Sequence, residues 1–151
     1  MDTNVPAVAN GRDSIFPLEC QLKCIVRLEA IVAQCRVFID ERGLIMEEYA
    51  RHLSYAGQPG VGDRFFRHLF QNQANPSACR RIAIPIRVGD GEFEAFPRDA
   101  RLANFDRADR KFVAVALASG HSPAIQNATD SDWNKFERIL ALHGVRVDNI
   151  C

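Results

Sequence analysis

Strand-like and helix-like segments alternate along this chain, and that alternation limits the folds open to it more than any other feature. From Pro17 to Gln34 the apolar residues Leu18, Leu22, Ile25, Leu28, Ile31 and Val32 fall at helical steps of three and four, with Pro17 suited to a first turn. Arg36-Val37-Phe38-Ile39-Asp40 follows as a short apolar run ending in a carboxylate, then the turn Glu41-Arg42-Gly43; this pattern predicts a buried strand. Residues 44–53 and 61–70 read as helices, the second with Phe65, Phe66, Leu69 and Phe70 on its apolar side, and Gly57-Gln58-Pro59-Gly60 separates them. Arg81 to Val88 alternates strictly through Ile82, Ile84, Ile86 and Val88, while Pro85 confines that strand to an edge or a bulge. Gly89-Asp90-Gly91 turns it into Glu92 to Phe96 as a hairpin. A helix over 109–119, a strand over 123–129, a helix over 133–143 capped by Gly144, and a closing strand over 145–150 complete the pattern.

Strands that alternate with helices imply a mostly parallel sheet with helices on both faces. A chain of 151 residues has room for one such unit, so residues 1–151 are read as a single domain. In such a sheet the first strand usually sits near the centre, yet no apolar strand precedes Asp2. Either the true start lies upstream, which is the preferred reading, or Asp2 to Val8 supplies a stunted strand.

Composition excludes several function classes. The 19 basic and 19 acidic side chains cancel, so bulk positive charge does not hold this protein to nucleic acid or membrane. No apolar run approaches the roughly 20 residues needed to cross a bilayer, and Met1-Asp2-Thr3-Asn4 lacks the features of a signal peptide. The expectation is a cytoplasmic protein with no membrane partner. The five cysteines are odd in number and lack C-x-x-C spacing, so they read as free thiols in a reducing compartment. Cys20 and Cys24 share a helical face, and a metal site with His52 or His68 is the less favoured alternative.

In open parallel sheets ligands bind at the carboxyl ends of the strands, so the polar residues there carry the chemistry. Asp2 opens the chain, Asp40 ends the strand of residues 36–40, and Asp130 and Asp132 follow the strand of residues 123–129. Asp109 starts a helix and Glu48 lies within one. Carboxylates gathered from such distant positions repel each other unless something positive sits among them. Mg²⁺ or Mn²⁺ suits an all-oxygen site and can activate water against a phosphodiester. Each acid alone reads equally as a solvated charge or a helix cap, and Asp109 and Asp132 stand where caps belong. The histidines have no telling serine or cysteine partner. Gly57 to Asp63 lacks the Gly-Lys-Ser/Thr ending of a phosphate loop, so it reads as a turn linking helices.

Four segments resemble the PIN domain nucleases: Asp2-Thr3-Asn4-Val5 with Ala9-Asn10-Gly11, then Ile45-Met46-Glu47-Glu48-Tyr49, Asp109-Arg110-Lys111-Phe112-Val113-Ala114-Val115-Ala116, and Thr129-Asp130-Ser131-Asp132-Trp133. Their order and spacing match from Asp2 to the closing strand. The resemblance implies a three-layer α/β/α sandwich with a mostly parallel central sheet, its first strand stunted or missing. It also implies a Mg²⁺- or Mn²⁺-dependent nuclease, foremost an endoribonuclease leaving 5′-phosphate and 3′-hydroxyl ends. Asp2, Glu48, Asp109 and Asp130 correspond to the catalytic, metal-holding acids, with Asp132 contributing to the metal or its waters and Glu47 a less favoured neighbour of Glu48. Asn4 and Thr129 correspond to hydrogen-bonding supports for those acids. Arg107 and Arg110 are candidate phosphate contacts, whereas Asp40 and Asp106 are left as surface or turn residues. RNA, or less often DNA, is the implied substrate; an antitoxin-like protein partner and a homodimer are further expectations of a toxin-type protein. The alternative is a catalytically weak PIN-like module that binds RNA or a protein.

Overall fold

The computed structural model describes residues 1–11, 15–34, 36–54 and 60–151. Cys35 and the Gly57-Gln58-Pro59 portion of the turn lie outside the described residues. Helix α1 spans Asn4–Ala9, α2 Leu18–Gln34, α3 Leu44–His52, α4 Val61–Asn72, α5 Arg110–Ala118 and α6 Ser131–Leu142. The strands are β1 Val37–Asp40, β2 Cys79–Ile82, β3 Ile125–Asn127 and β4 Val147–Asn149. Both strand pairs are parallel: β1 with β2, Val37 opposite Cys79, and β3 with β4, Ile125 opposite Val147. The mixed α/β class and the parallel pairing follow the alternation of the sequence. The central sheet does not: the described residues hold two separate two-stranded sheets.

Residues 2–8 supply no strand. They enter α1, where Val5, Val8 and Ala9 fall one helical turn apart and are all buried. Pro6 decides this locally, because it cannot donate to a sheet ladder but is tolerated in a helical first turn. Helix α1 packs on α2 and α4, and Gly62 permits the approach. A Cβ on Gly62 would lie 1.9 Å from the Pro6 carbonyl oxygen, and one on Gly60 would lie 2.2 Å from Asn10 Oδ1. Asp63 fastens the same junction, accepting hydrogen bonds from Asn10 Nδ2 at 3.0 Å and from the Ser54 amide at 2.7 Å. The described end of the Gly-rich motif therefore serves a helix crossing.

The alternating stretch after Arg81 is shorter as a strand than its pattern implies. Beyond Ile82, Pro85 interrupts pairing, and the hairpin is reduced to one antiparallel bridge between Ile86 and Phe93. Helix α5 is the central element: Phe112 to Ala116 are all buried, and the helix packs on both β1 and β3. Around it Tyr49, Phe65, Phe66, Leu69, Leu102, Phe105 and Trp133 form one continuous apolar core. Among the described residues no helix is long and apolar enough to cross a membrane.

The cysteines depart from the free-thiol expectation. Cys20 on α2 and Cys151 at the last position are joined by a disulfide across 131 residues of sequence. Cys24 lies beside them, all three sulfurs within 4.8 Å of one another, with no histidine in the group. Cys24 and Cys79 are free and buried, and burial pushes both thiols up to about 11.

Candidate metal centre

Three of the acids meet. Oxygen atoms of Asp2, Asp109 and Asp130 lie within 4.8 Å of one another, although the residues come from the chain start, the head of α5 and the head of α6. Asp2 and Asp109 are buried and Asp130 is half-buried.

Each carboxylate is held by the element beneath it. Asp2 Oδ1 accepts the Asn4 amide at 2.9 Å, and its Oδ2 accepts the buried indole N–H of Trp133. The Asp2 amide in turn donates to the Gln126 carbonyl at 3.0 Å, which docks the segment on β3. Asp130 is the N-cap of α6, with Oδ1 accepting the Asp132 amide at 2.8 Å. Asp109 precedes α5 and makes no capping bond there. Its side chain lies with the other acids, and no capping bond at α5 favours its charge.

The electrostatics follow. Burial, then Asp2, Asp130, Asp106 and Glu48 in that order, raise the Asp109 carboxyl from 3.8 to about 8. Burial also raises Asp2, and Asp130 adds to it, opposed by the hydrogen bonds from Asn4 and Trp133. A cluster that resists ionisation in this way is the response of like charges with no cation between them. Three convergent hard oxygen ligands with open lone pairs match the preferences of Mg²⁺ or Mn²⁺, which keep several waters of their own. The donor set fits such an ion.

Glu48 is near but differently engaged. Its Oε1 accepts the Thr3 hydroxyl and its Oε2 pairs with Lys111 Nζ. Lys111 is itself buried, donates to the Ala108 carbonyl and sits 4.8 Å from the Phe112 ring centroid. Asp132 stands apart from the trio, paired with Lys135 at 2.7 Å, and Glu47 is exposed.

The support is partly the expected one. Asn4 donates to Asn127 Oδ1 at 2.9 Å and accepts the Ala128 amide at 2.8 Å, bridging α1 to the end of β3. Thr129 is exposed, and Asn127 takes the supporting place instead. The buried Asn127 amide bonds to Asn4, Asn149 and both main-chain groups of Asp130. Arg110 is committed to the fold: it pairs with Glu92, caps the Ala103 and Phe105 carbonyls and lies over Phe96. Arg107 is exposed. Asp40 is no surface residue. It is buried and accepts the Leu44 and Ile45 amides, each at 2.8 Å, at the head of α3. Asp106 is exposed and accepts the Ala108 amide at 2.9 Å in the turn before Asp109.

Sequence reasoning missed Thr3, Lys111, Asn127 and Trp133. The signal for two of them was present: a lysine at the head of the apolar run 112–116 and an asparagine at the end of a buried strand are polar groups that must find buried partners. Comparison with the known protein families, with curated proteins and with solved structures returns no match.

Proposed function

We propose that this protein is a divalent-metal-dependent nuclease of PIN type, acting foremost on RNA, built as an α/β/α sandwich around an interrupted sheet. The observation that carries this reading is the meeting of Asp2, Asp109 and Asp130 within 4.8 Å from distant parts of the chain. Mg²⁺ or Mn²⁺, when bound, supplies the Lewis acidity that activates water and neutralises phosphodiester charge. Asp2, Asp109 and Asp130 would hold it. Trp133 and Asn4 orient the Asp2 carboxylate, and the helix cap fixes Asp130 through its Oδ1. A cation held there would favour the ionised form of Asp109 against the burial and neighbouring acids that raise its carboxyl. Glu48 sits beside this trio as the outer acid, positioned by Thr3 and Lys111.

One observation favours the second reading, a module that grips RNA or a protein without cutting. Lys111 already neutralises Glu48, so a fourth carboxylate is not free for metal. The test incubates the protein with end-labelled single-stranded RNA and DNA in Mn²⁺, with EDTA and Asp109→Asn as controls. Cleavage lost in both controls supports the nuclease and identifies its nucleic acid. Intact strands in every lane, with RNA retained in a gel-shift, overturn it in favour of the module.

A further inference from the structure

The two parallel sheets share no strand pairing, and between them is a groove of about 220 Å³, bounded by Val37 and Phe38 of β1 and Ile125 and Gln126 of β3. Phe112 and Val115 of α5 line it too, and Met1 lies at it. Its walls are mainly apolar, and apolar surface left uncovered in a groove marks a place where another segment or ligand packs.

The backbone on both sides is that of an unfilled sheet. In a parallel ladder successive residues direct their amide and carbonyl to opposite sides. Val37 donates to Ala78 and Glu41 to Ile82, so residues 37, 39 and 41 serve β2 and Phe38 turns away from it. Likewise Ile125 donates to Arg146 and Asn127 accepts from Ile150, so Gln126 turns away from β4. One rung on the β3 wall already exists, from the Asp2 amide to the Gln126 carbonyl. A second, independent sign is the Gln126 side chain: it is only 9% exposed, and its Oε1 has no hydrogen-bond partner among the described residues.

We infer that the groove is the seat of a β-strand of about four apolar residues, at ~3.3 Å each, that runs directly into Met1: a segment of this chain on the N-terminal side of Met1, absent from this structure. Its direction follows from the rung and from the groove walls. Arg36 and Pro123 mark the end where β1 and β3 begin, and Met1 marks the other, so a strand ending at Met1 is parallel to both neighbours. It would join the two pairs into one five-stranded sheet with this segment at the centre. A peptide donated by another molecule fits less well, because its carboxyl end would meet Met1 where the chain itself must pass. The inference rests on the groove and not on the nuclease reading, although the strand would also tether Asp2 within the acidic cluster.

The test compares the 151-residue chain with two extended forms, one carrying Val-Ile-Val-Val before Met1 and one carrying Gly-Ser-Gly-Ser. The apolar extension is expected to raise the thermal midpoint by about 10 °C and to slow hydrogen exchange at the Phe38 and Gln126 amides at least ~100-fold; the polar one should do neither. In the unextended chain those two amides should exchange far faster than Ile39 and Asn127, a reading that requires no variant. Equal midpoints for all three forms, or slow exchange at Phe38 and Gln126 without an extension, would overturn the inference. So would equal stabilisation by the free apolar peptide, which would make the occupant a second molecule. None of these readouts depends on cleavage, so a failed nuclease assay leaves them intact.

Discussion

Asp109 shows how far one side chain's chemistry is set by its neighbours. Its carboxyl is raised from 3.8 to about 8, chiefly by burial and then by Asp2 and Asp130, so the folded state holds this proton more tightly than the unfolded chain does. The stability it contributes is complete below about pH 4 and is lost as pH rises through about 8. In EDTA, urea unfolding at pH 5 and pH 8 should show the parent weakening with pH. Asp109→Asn, which has no charge to create, should be more stable than the parent at pH 8 by about 2–4 kcal/mol and lack most of that slope; a variant no more stable than the parent would mean that the acids are not crowded. Trp133 gives a second test. Its ring packs edge-on against Phe105 at 5.1 Å while its N–H serves Asp2. Trp133→Phe keeps an aromatic ring but removes the donor, and should weaken Mn²⁺ binding by calorimetry about 10–100-fold. Unchanged affinity would show that the Asp2 orientation is set elsewhere.

Elements are joined here by buried polar clasps and close backbone approaches as much as by apolar faces. Asp40 caps α3 through two amides at 2.8 Å, tying the end of β1 to the helix that carries Glu48. Gly62 lets α1 cross α4 where any Cβ would strike the Pro6 carbonyl. Because both partners in that contact are backbone, Gly62→Ala should cost about 2–4 kcal/mol in a denaturant melt. An exposed glycine with nothing near it, such as Gly89, serves as the reference for ordinary surface cost only after its positive φ of 109° is counted. The helices and most strands were readable because period and punctuation are local properties: residues 18–34, 44–52 and 131–142 carry their own helical spacing. Residues 2–8 were not, since a short apolar run suits strand or helix and Pro6 and the packing faces of α2 and α4 decide.

Across the whole molecule residues near each end of the sequence are fastened to elements distant along it. The Asp2 amide is on β3, the Tyr49 hydroxyl holds the Met1 carbonyl at 2.6 Å, and Cys151 is bonded to Cys20. A cross-link that closes 131 residues of sequence restricts the unfolded chain strongly, worth about 3–5 kcal/mol in the chain-entropy account. Reduction with a phosphine should therefore lower the thermal midpoint by about 10 °C, and Cys151→Ser should show the same midpoint with and without reductant. A parent insensitive to reductant would argue against the bond. Helix α5 packs on both sheets, which leave a seat for one more strand between them, so stability and the placement of Asp2 are coupled through that gap.

From its sequence alone this chain determined the alternation of helices and strands, the parallel pairing, and the acids worth watching, because periodicity and residue type are carried by each segment itself. Only the tertiary structure decided which acids meet. Asp2, Asp109 and Asp130 form a trio, while Glu48 goes to Lys111 and Asp132 to Lys135. It also decided that Asn127 and Trp133 hold the site, that Cys20 pairs with Cys151, and that the sheet divides in two. The reason is physical: apart from Lys135 and the bonds of Asn127 to Asp130, these partners lie tens of residues or more apart, and burial rather than spacing selects a buried group's partner.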